Sequence, residues 1–295
     1  MKATFQSLRN KVLTFQWSPK YERKHRQANK DGSVMGACKK NIASMRKEDT
    51  IKHAADKMLS NRTRRVFVIG SGGALEGVVT CKDIVNFLGG GEKHRIVQKK
   101  HGGDLISGMN EPVREIMTQK LVSIDSSKSF DDAFKLIKKT GVGGIPILED
   151  GKLVGSVTEK KIVNLISKSL SGQMVKNYMS KNVIFGSSGE QVSDVAKAMI
   201  RNSFRRLPIL KERELAGIIT AKDIVHAFAK NFSPSFVETR VSKLMKKPIT
   251  VSSTATLSDA AKIMSQNNIS GMPVMSGDKV VGVITAKDLI KAVEL

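Results

Sequence analysis

Gly282-Val283-Ile284-Thr285-Ala286-Lys287-Asp288-Leu289-Ile290 decides how the rest of the chain is read, because the same phrase occurs three more times upstream. Gly217-Ile218-Ile219-Thr220-Ala221-Lys222-Asp223-Ile224-Val225 and Gly77-Val78-Val79-Thr80-Cys81-Lys82-Asp83-Ile84-Val85 follow it closely. Gly155-Ser156-Val157-Thr158-Glu159-Lys160-Lys161-Ile162-Val163 keeps the glycine, threonine and lysine but places Lys161 where the others have aspartate. Recurrence of one phrase at matching places is the mark of a repeat architecture.

Each phrase closes the same series of elements. Apolar residues at i, i+3, i+4 and i+7 predict an amphipathic helix in every copy: Ile51, Ala54, Ala55, Met58; Phe130, Ala133, Phe134, Ile137; Val192, Val195, Ala196, Met199; Leu257, Ala260, Ala261, Met264. Short apolar strands follow at Val66–Ile69, Ile145–Leu148, Leu207–Leu210 and Met272–Met275, then a polar turn, then the glycine-led strand. A second helix starts after the threonine, with Ile84, Val85, Phe87 and Leu88 as its apolar face in the first copy. A short strand is expected ahead of the first helix, at Lys40–Ser44, Leu121–Ile124, Val183–Phe185 and Ile249–Val251, so the unit reads β-α-β-β-α. It is preceded by a lead-in, Val113–Met117, Val175–Met179 and Val241–Met245, for which Val34–Cys38 stands in the first unit.

The expected organisation is four units, at 34–88, 113–168, 175–230 and 241–295, with a glycine-rich surface insert at 89–112 and a basic extension at 1–33. A unit of about 55 residues buries little core alone, so the units are expected to pack in pairs, 34–168 and 175–295. An aromatic content of 5% within a hydrophobic content of 40% makes these aliphatic cores.

No run of apolar residues is long enough to span a bilayer and no signal-type segment precedes the repeats, so a cytoplasmic protein without membrane insertion is expected. Cys38 and Cys81 form no CxxC or Cys/His cluster and read as two buried free thiols. The five histidines, His25, His53, His94, His101 and His226, are scattered, and neither a metal nor a catalytic site is expected. A net charge of +23 attracts anions without choosing among nucleotides, nucleic acid and acidic proteins, and it is also what lysine-rich solvated faces produce.

The G-h-h-T-x-x-D phrase, with h apolar, and the G-h-P-h strands Gly144-Ile145-Pro146-Ile147 and Gly271-Met272-Pro273-Val274 resemble the cystathionine-β-synthase-type (CBS) domain. The resemblance implies an α/β fold of four CBS repeats, paired through their sheets into two Bateman modules that form a disc. The chain could make that disc alone, as a monomer or within a homodimer. The layout is similar to archaeal four-repeat proteins and to the gamma subunit of AMP-activated protein kinase. It implies a non-catalytic regulatory protein that binds AMP, ADP or ATP between repeats and senses energy or metabolite state for an unidentified protein partner.

Thr followed three residues later by Asp before an apolar helix face is also an ordinary capping box. The binding role uses the same geometry. A helix start offers unpaired N–H groups and a positive dipole end to a phosphate, helped by Thr80, Thr220 or Thr285 and by Lys82, Lys160, Lys222 or Lys287. Asp83, Asp223 and Asp288 can each accept from two ribose hydroxyls. The glycine lets backbone approach the ligand, and Val78, Ile218 and Val283 wall the base. Lys161 removes the acceptor, so the second site is expected to be empty or altered.

By the same resemblance, the base also meets Leu121 and Val122, Val183 and Ile184, or Ile249 and Thr250 of the partner unit. Arg64, Arg65, Arg205 and Arg206 precede the central strands of units one and three, where units two and four have Gly143-Gly144 and Ser270-Gly271. With Lys160 and Lys161 they are expected to contact phosphates across a central cavity, as guanidinium forks suit oxyanions.

Two other readings compete. Residues 1–33 interleave Phe5, Phe15, Trp17 and Tyr21 with Arg9, Lys11, Lys20, Arg23, Lys24 and Arg26, a pattern suited to single-stranded nucleic acid. S-adenosylmethionine is the alternative small ligand. No nucleophile–base pair, P-loop or paired catalytic carboxylate recurs, which argues against an enzyme.

Overall fold

Each of the four first helices forms where apolar spacing puts a single buried stripe. Ile51–Ser60, Phe130–Thr140, Val192–Arg201 and Leu257–Gln266 bury the sixteen residues named for them and no others. Thr50 caps the first through the His53 N–H. Ser129 with Asp132 and Thr256 with Asp259 make full capping boxes, so the orphan N–H groups of these helix starts are satisfied locally. These details come from a computed structural model that describes residues 32–293. The aromatic and basic residues proposed for nucleic acid in the extension lie outside the described residues.

The strands assemble into four small sheets of three. In the first unit Arg65–Ile69 is central, antiparallel to Leu75–Thr80 and parallel to Ser44–Met45. Gly144–Glu149, Arg206–Lys211 and Gly271–Ser276 hold the same place in the others, and the register slips at the same step of each hairpin. The structure corrects the leading strands. They are two-residue segments, Ser44–Met45, Ile124–Asp125, Gly186–Ser187 and Val251–Ser252, one to a few residues later than expected. The cause is a competing attachment just upstream, where each lead-in bridges to a neighbouring unit and draws the preceding residues away from their own sheet.

Each lead-in crosses to a different unit. Thr118 bridges Val78, Lys39 bridges Ser156, Lys246 bridges Ile218 and Ser180 bridges Val283. Every bridge falls on the residue after the phrase glycine, so units one and two exchange lead-ins, as do three and four. The glycine is required by this exchange. A Cβ on Gly77, Gly217 or Gly282 would run into Met117, Met245 or Met179, and on Gly155 into Cys38. Cys38 thus stands where the other lead-ins have methionine. Cys38 is half-buried, which corrects the expectation of two buried thiols, whereas Cys81 is buried.

Helices join the units the other way. One continuous core takes side chains from units one and three, and a second takes them from units two and four. Ile51–Ser60 packs on Ala221–Lys230, and Glu159–Ile166 packs on Ala286–Ala292. The expected pairs, 34–168 and 175–295, are the ones that the strand bridges join, while the two apolar cores run across those pairs. Strand bridges pair 1 with 2 and 3 with 4, whereas apolar helix faces pair 1 with 3 and 2 with 4, because a short unit exposes its sheet edge and its helix face in different directions. The four units close into a ring.

The insert is not a loop excursion. It folds as Glu92–His94, Arg95–His101 and Leu105–Gly108, and it buries Val97, Leu105 and Met109 in the core of units one and three. Its glycines end elements: Gly102 takes φ +56° as the left-handed cap of Arg95–His101. No helix among the described residues is long and apolar enough to cross a membrane.

Gly282→Val should lower stability by about 1–3 kcal/mol, since the added atoms meet Met179 and, 3.0 Å from Cβ, the Ser180 carbonyl oxygen. The midpoint of chemical denaturation measures it, and an unchanged midpoint would show that the lead-in yields without cost.

Candidate functional site

The three aspartates complete capping boxes and keep one oxygen for other use. Asp83 Oδ2 accepts from Thr80 N at 2.8 Å and Thr80 Oγ1 at 2.6 Å. Asp223 repeats this with Thr220 at 3.0 and 2.5 Å, and Asp288 with Thr285 at 2.8 and 2.7 Å. Capping consumes Oδ2 alone, so it orients the carboxylate without exhausting its acceptors. In the second unit Thr158 only accepts a 3.4 Å bond from Lys161 N.

The remaining oxygens differ. Lys93 of the insert reaches Asp83 Oδ1 and also donates to the Ile116 carbonyl. Lys246 of the fourth lead-in pairs with Asp223 Oδ1, and its side chain is 70% exposed against 24% for Lys93. Asp288 pairs with no cation among the described residues. Lys93 and Lys246 were invisible to motif reading because neither lies in the repeated phrase.

The residues expected to wall the base lie on the strands that end at each phrase threonine and in the segments that follow each bridge. Val78, Ile218 and Val283 are the bridged residues of their strands, half-buried. Leu121 and Val122, Ile249 and Thr250, and Val183 and Ile184 begin three residues after the bridging Thr118, Lys246 and Ser180, in the irregular segments that lead to the short strands. Ile184 is exposed, one of two large apolar side chains so placed among the described residues.

The phrase lysines reach across the helix interfaces. Lys222 donates to the Arg62 carbonyl at 3.0 Å, Lys160 bonds Asn268, and Lys287 ends near Gly141. Lys82 is exposed, and its charge is felt by Lys287. Lys161 is also exposed.

All four arginines converge. Arg65 donates to the Gly144 and Gly143 carbonyls at 2.8 and 2.7 Å, and Arg206 to Ser270 O and Oγ at 2.8 and 2.9 Å. Gly144 and Gly271, at φ +150° and +156°, have the guanidinium where a side chain would stand, which explains the alternation of Arg-Arg with Gly-Gly and Ser-Gly. Arg64 bonds Ser270 Oγ at 3.0 Å across the ring. Arg64 and Arg205 both approach Glu159 Oε2, at 3.4 and 3.3 Å.

Glu159 is the functional candidate that sequence reading missed. It is fully buried at a position filled by Cys81, Ala221 and Ala286 in the other units, and that contrast was its only signal. Burial, and then the neighbouring guanidiniums Arg64 and Arg205, push Arg65 and Arg206 respectively down to about 9. Burial, then Arg64 and Lys222, brings Lys160 down to about 8. Burial also raises the Cys81 thiol to about 12, which leaves it inert.

The CBS domain family matches the chain at residues 33–90, 113–168, 175–230 and 241–295. Protein MJ1225 of Methanocaldococcus jannaschii is 33% identical over 266 residues, 85% of this chain and 95% of its own length. Its crystal structure, in which it is proposed as an archaeal homologue of g-AMPK, aligns with a TM-score of 0.81 at 31% identity over 88% of this chain and 99% of that one. A Thermofilum pendens protein of the ribosomal RNA operon is 26% identical over 78% of this chain and 80% of its own. A Pyrococcus horikoshii structure with a TM-score of 0.56 and 17% identity, over 88% of this chain and 98% of its own, shares the fold. Four tandem matches that fill most of the sequence place this chain in the CBS domain family.

Proposed function

We propose that the chain is a non-catalytic sensor that binds AMP, ADP or ATP at clefts between units, with phosphates directed to the arginine-rich centre, and signals to a partner protein. The observation that carries this is convergence. Arg64 and Arg65, Arg205 and Arg206, Glu159 and Ser270 bring charged or polar groups of all four units to one centre, and three units present an aspartate that caps its helix with one oxygen and keeps the other. A ribose on the carboxylate and a base against the wall would leave the phosphates facing those cations. The M. jannaschii relative supports the reading, since it is proposed as an archaeal homologue of g-AMPK. A change of state requires the ligand to favour one arrangement of the ring over another.

The three sites are not equivalent. Asp288 meets no cation among the described residues, Asp223 meets a largely exposed lysine, and Asp83 meets Lys93, which is more buried and holds a second bond. Lys161 denies the second unit a ribose acceptor.

Isothermal titration with AMP, ADP, ATP and S-adenosylmethionine tests the proposal. Binding by the adenine nucleotides is expected, with Asp288→Ala weakening it about tenfold or more and Lys161→Ala leaving ribose recognition intact. Lys93→Ala should add binding at the first site. A folded protein that takes up no adenine nucleotide at millimolar concentration would overturn the reading, and preference for S-adenosylmethionine would redirect it.

Protonation of Lys160 gives a pH test. Its folded value near 8 lies below the ordinary 10.5, so the folded chain without ligand bears a penalty that is complete below about pH 8 and is relieved as pH rises towards 10.5. Phosphate binding runs the other way, because it needs the charged amine. Nucleotide affinity should therefore fall as pH passes upward through about 8, and a flat profile to pH 9 in the wild type would remove Lys160 from the phosphate site.

A further inference from the structure

Glu159 opens the helix Glu159–Ile166, where the dipole favours an anion, and it is fully buried. Oε2 takes both Arg64 and Arg205, from units one and three. Oε1 has no hydrogen-bond partner among the described residues. Arg65, Arg206 and Lys287 also feel its charge. Four guanidiniums against one buried carboxylate leave three formal positive charges, and Arg64 and Arg205, at 25% and 30% exposure, remain within reach of an incoming anion that would offset them. No other unit supplies an anion at this position.

We propose that Glu159 is the resident anion at the centre of the ring, and that it competes with phosphate oxygens for Arg64 and Arg205. It holds the two guanidiniums in place without ligand, and it sets how strongly the centre prefers ligands with more phosphate. A phosphoryl oxygen approaching the centre meets arginines already oriented but also a carboxylate that repels it. The ligand class is the phosphate or polyphosphate group, free or carried on a nucleoside. The nucleotide form of this inference rests on the function proposed above, whereas the inorganic form does not.

The test uses the full chain and Glu159→Gln, which keeps shape and removes charge. Pyrophosphate, AMP, ATP and adenosine are titrated by calorimetry, and thermal melting is followed with and without pyrophosphate. The variant should melt lower in phosphate-free, low-salt buffer and regain more on adding pyrophosphate than the wild type does. Its Kd for pyrophosphate and for ATP should tighten about tenfold, that for AMP should tighten less, and that for adenosine should not change. An unchanged response to pyrophosphate would overturn the role. If Glu159→Gln does not fold, the double variant Glu159→Gln with Arg205→Gln, which restores the charge balance, should fold; failure of both variants would refute charge compensation. Absence of nucleotide binding in the wild type, with the pyrophosphate effect present in Glu159→Gln, would sink the sensor reading and leave this one standing.

Discussion

A side chain is missing at Gly77, Gly155, Gly217 and Gly282, and the lead-in of the neighbouring unit fills each gap with a methionine or cysteine. That substitution of one unit's side chain for another's absent Cβ fixes the geometry of everything nearby. It places the bridge at the next residue, two residues before the threonine that caps the following helix. The glycine was expected to make room for a ligand's approach. What the structure shows in that room is the lead-in, whose chain then departs for its own sheet.

Much of the fold was legible because it is written in local periodicity. All sixteen residues of the four helical stripes are buried, and the central strands extend the expected runs by a residue at one or both ends. Four sheets of one plan follow from four copies of one pattern. What could not be read is which unit touches which. An amphipathic stripe declares that a face is buried without naming what covers it, so the joining of units one and three, and of two and four, needed three-dimensional contact.

The candidate site divides along the same line. The phrase residues were found because they repeat, and the structure shows that capping and an available acceptor coexist on one carboxylate. The groups that make the copies unequal do not repeat. Lys93 comes from an insert, Lys246 from a lead-in, and Glu159 from a position that is small and apolar elsewhere. Each acts across a boundary between units, where motif spacing carries no information. The alternation of Arg-Arg with Gly-Gly and Ser-Gly was visible in the sequence, yet its cause, a guanidinium lying where a side chain would otherwise be, is a property of two strands far apart in the chain.

The crossed pattern of attachment also bears on how the chain reaches its native state. The helix Ile51–Ser60 finds its main helical partner in Ala221–Lys230, and the bond from Lys222 to Arg62 spans 160 residues. During synthesis the apolar face of the first unit therefore waits, uncovered, until most of the protein has emerged. Its strand edge is occupied much earlier by the second unit. Such an intermediate is half closed: protected against edge-to-edge association, yet carrying a greasy helix face that long-range closure must bury last.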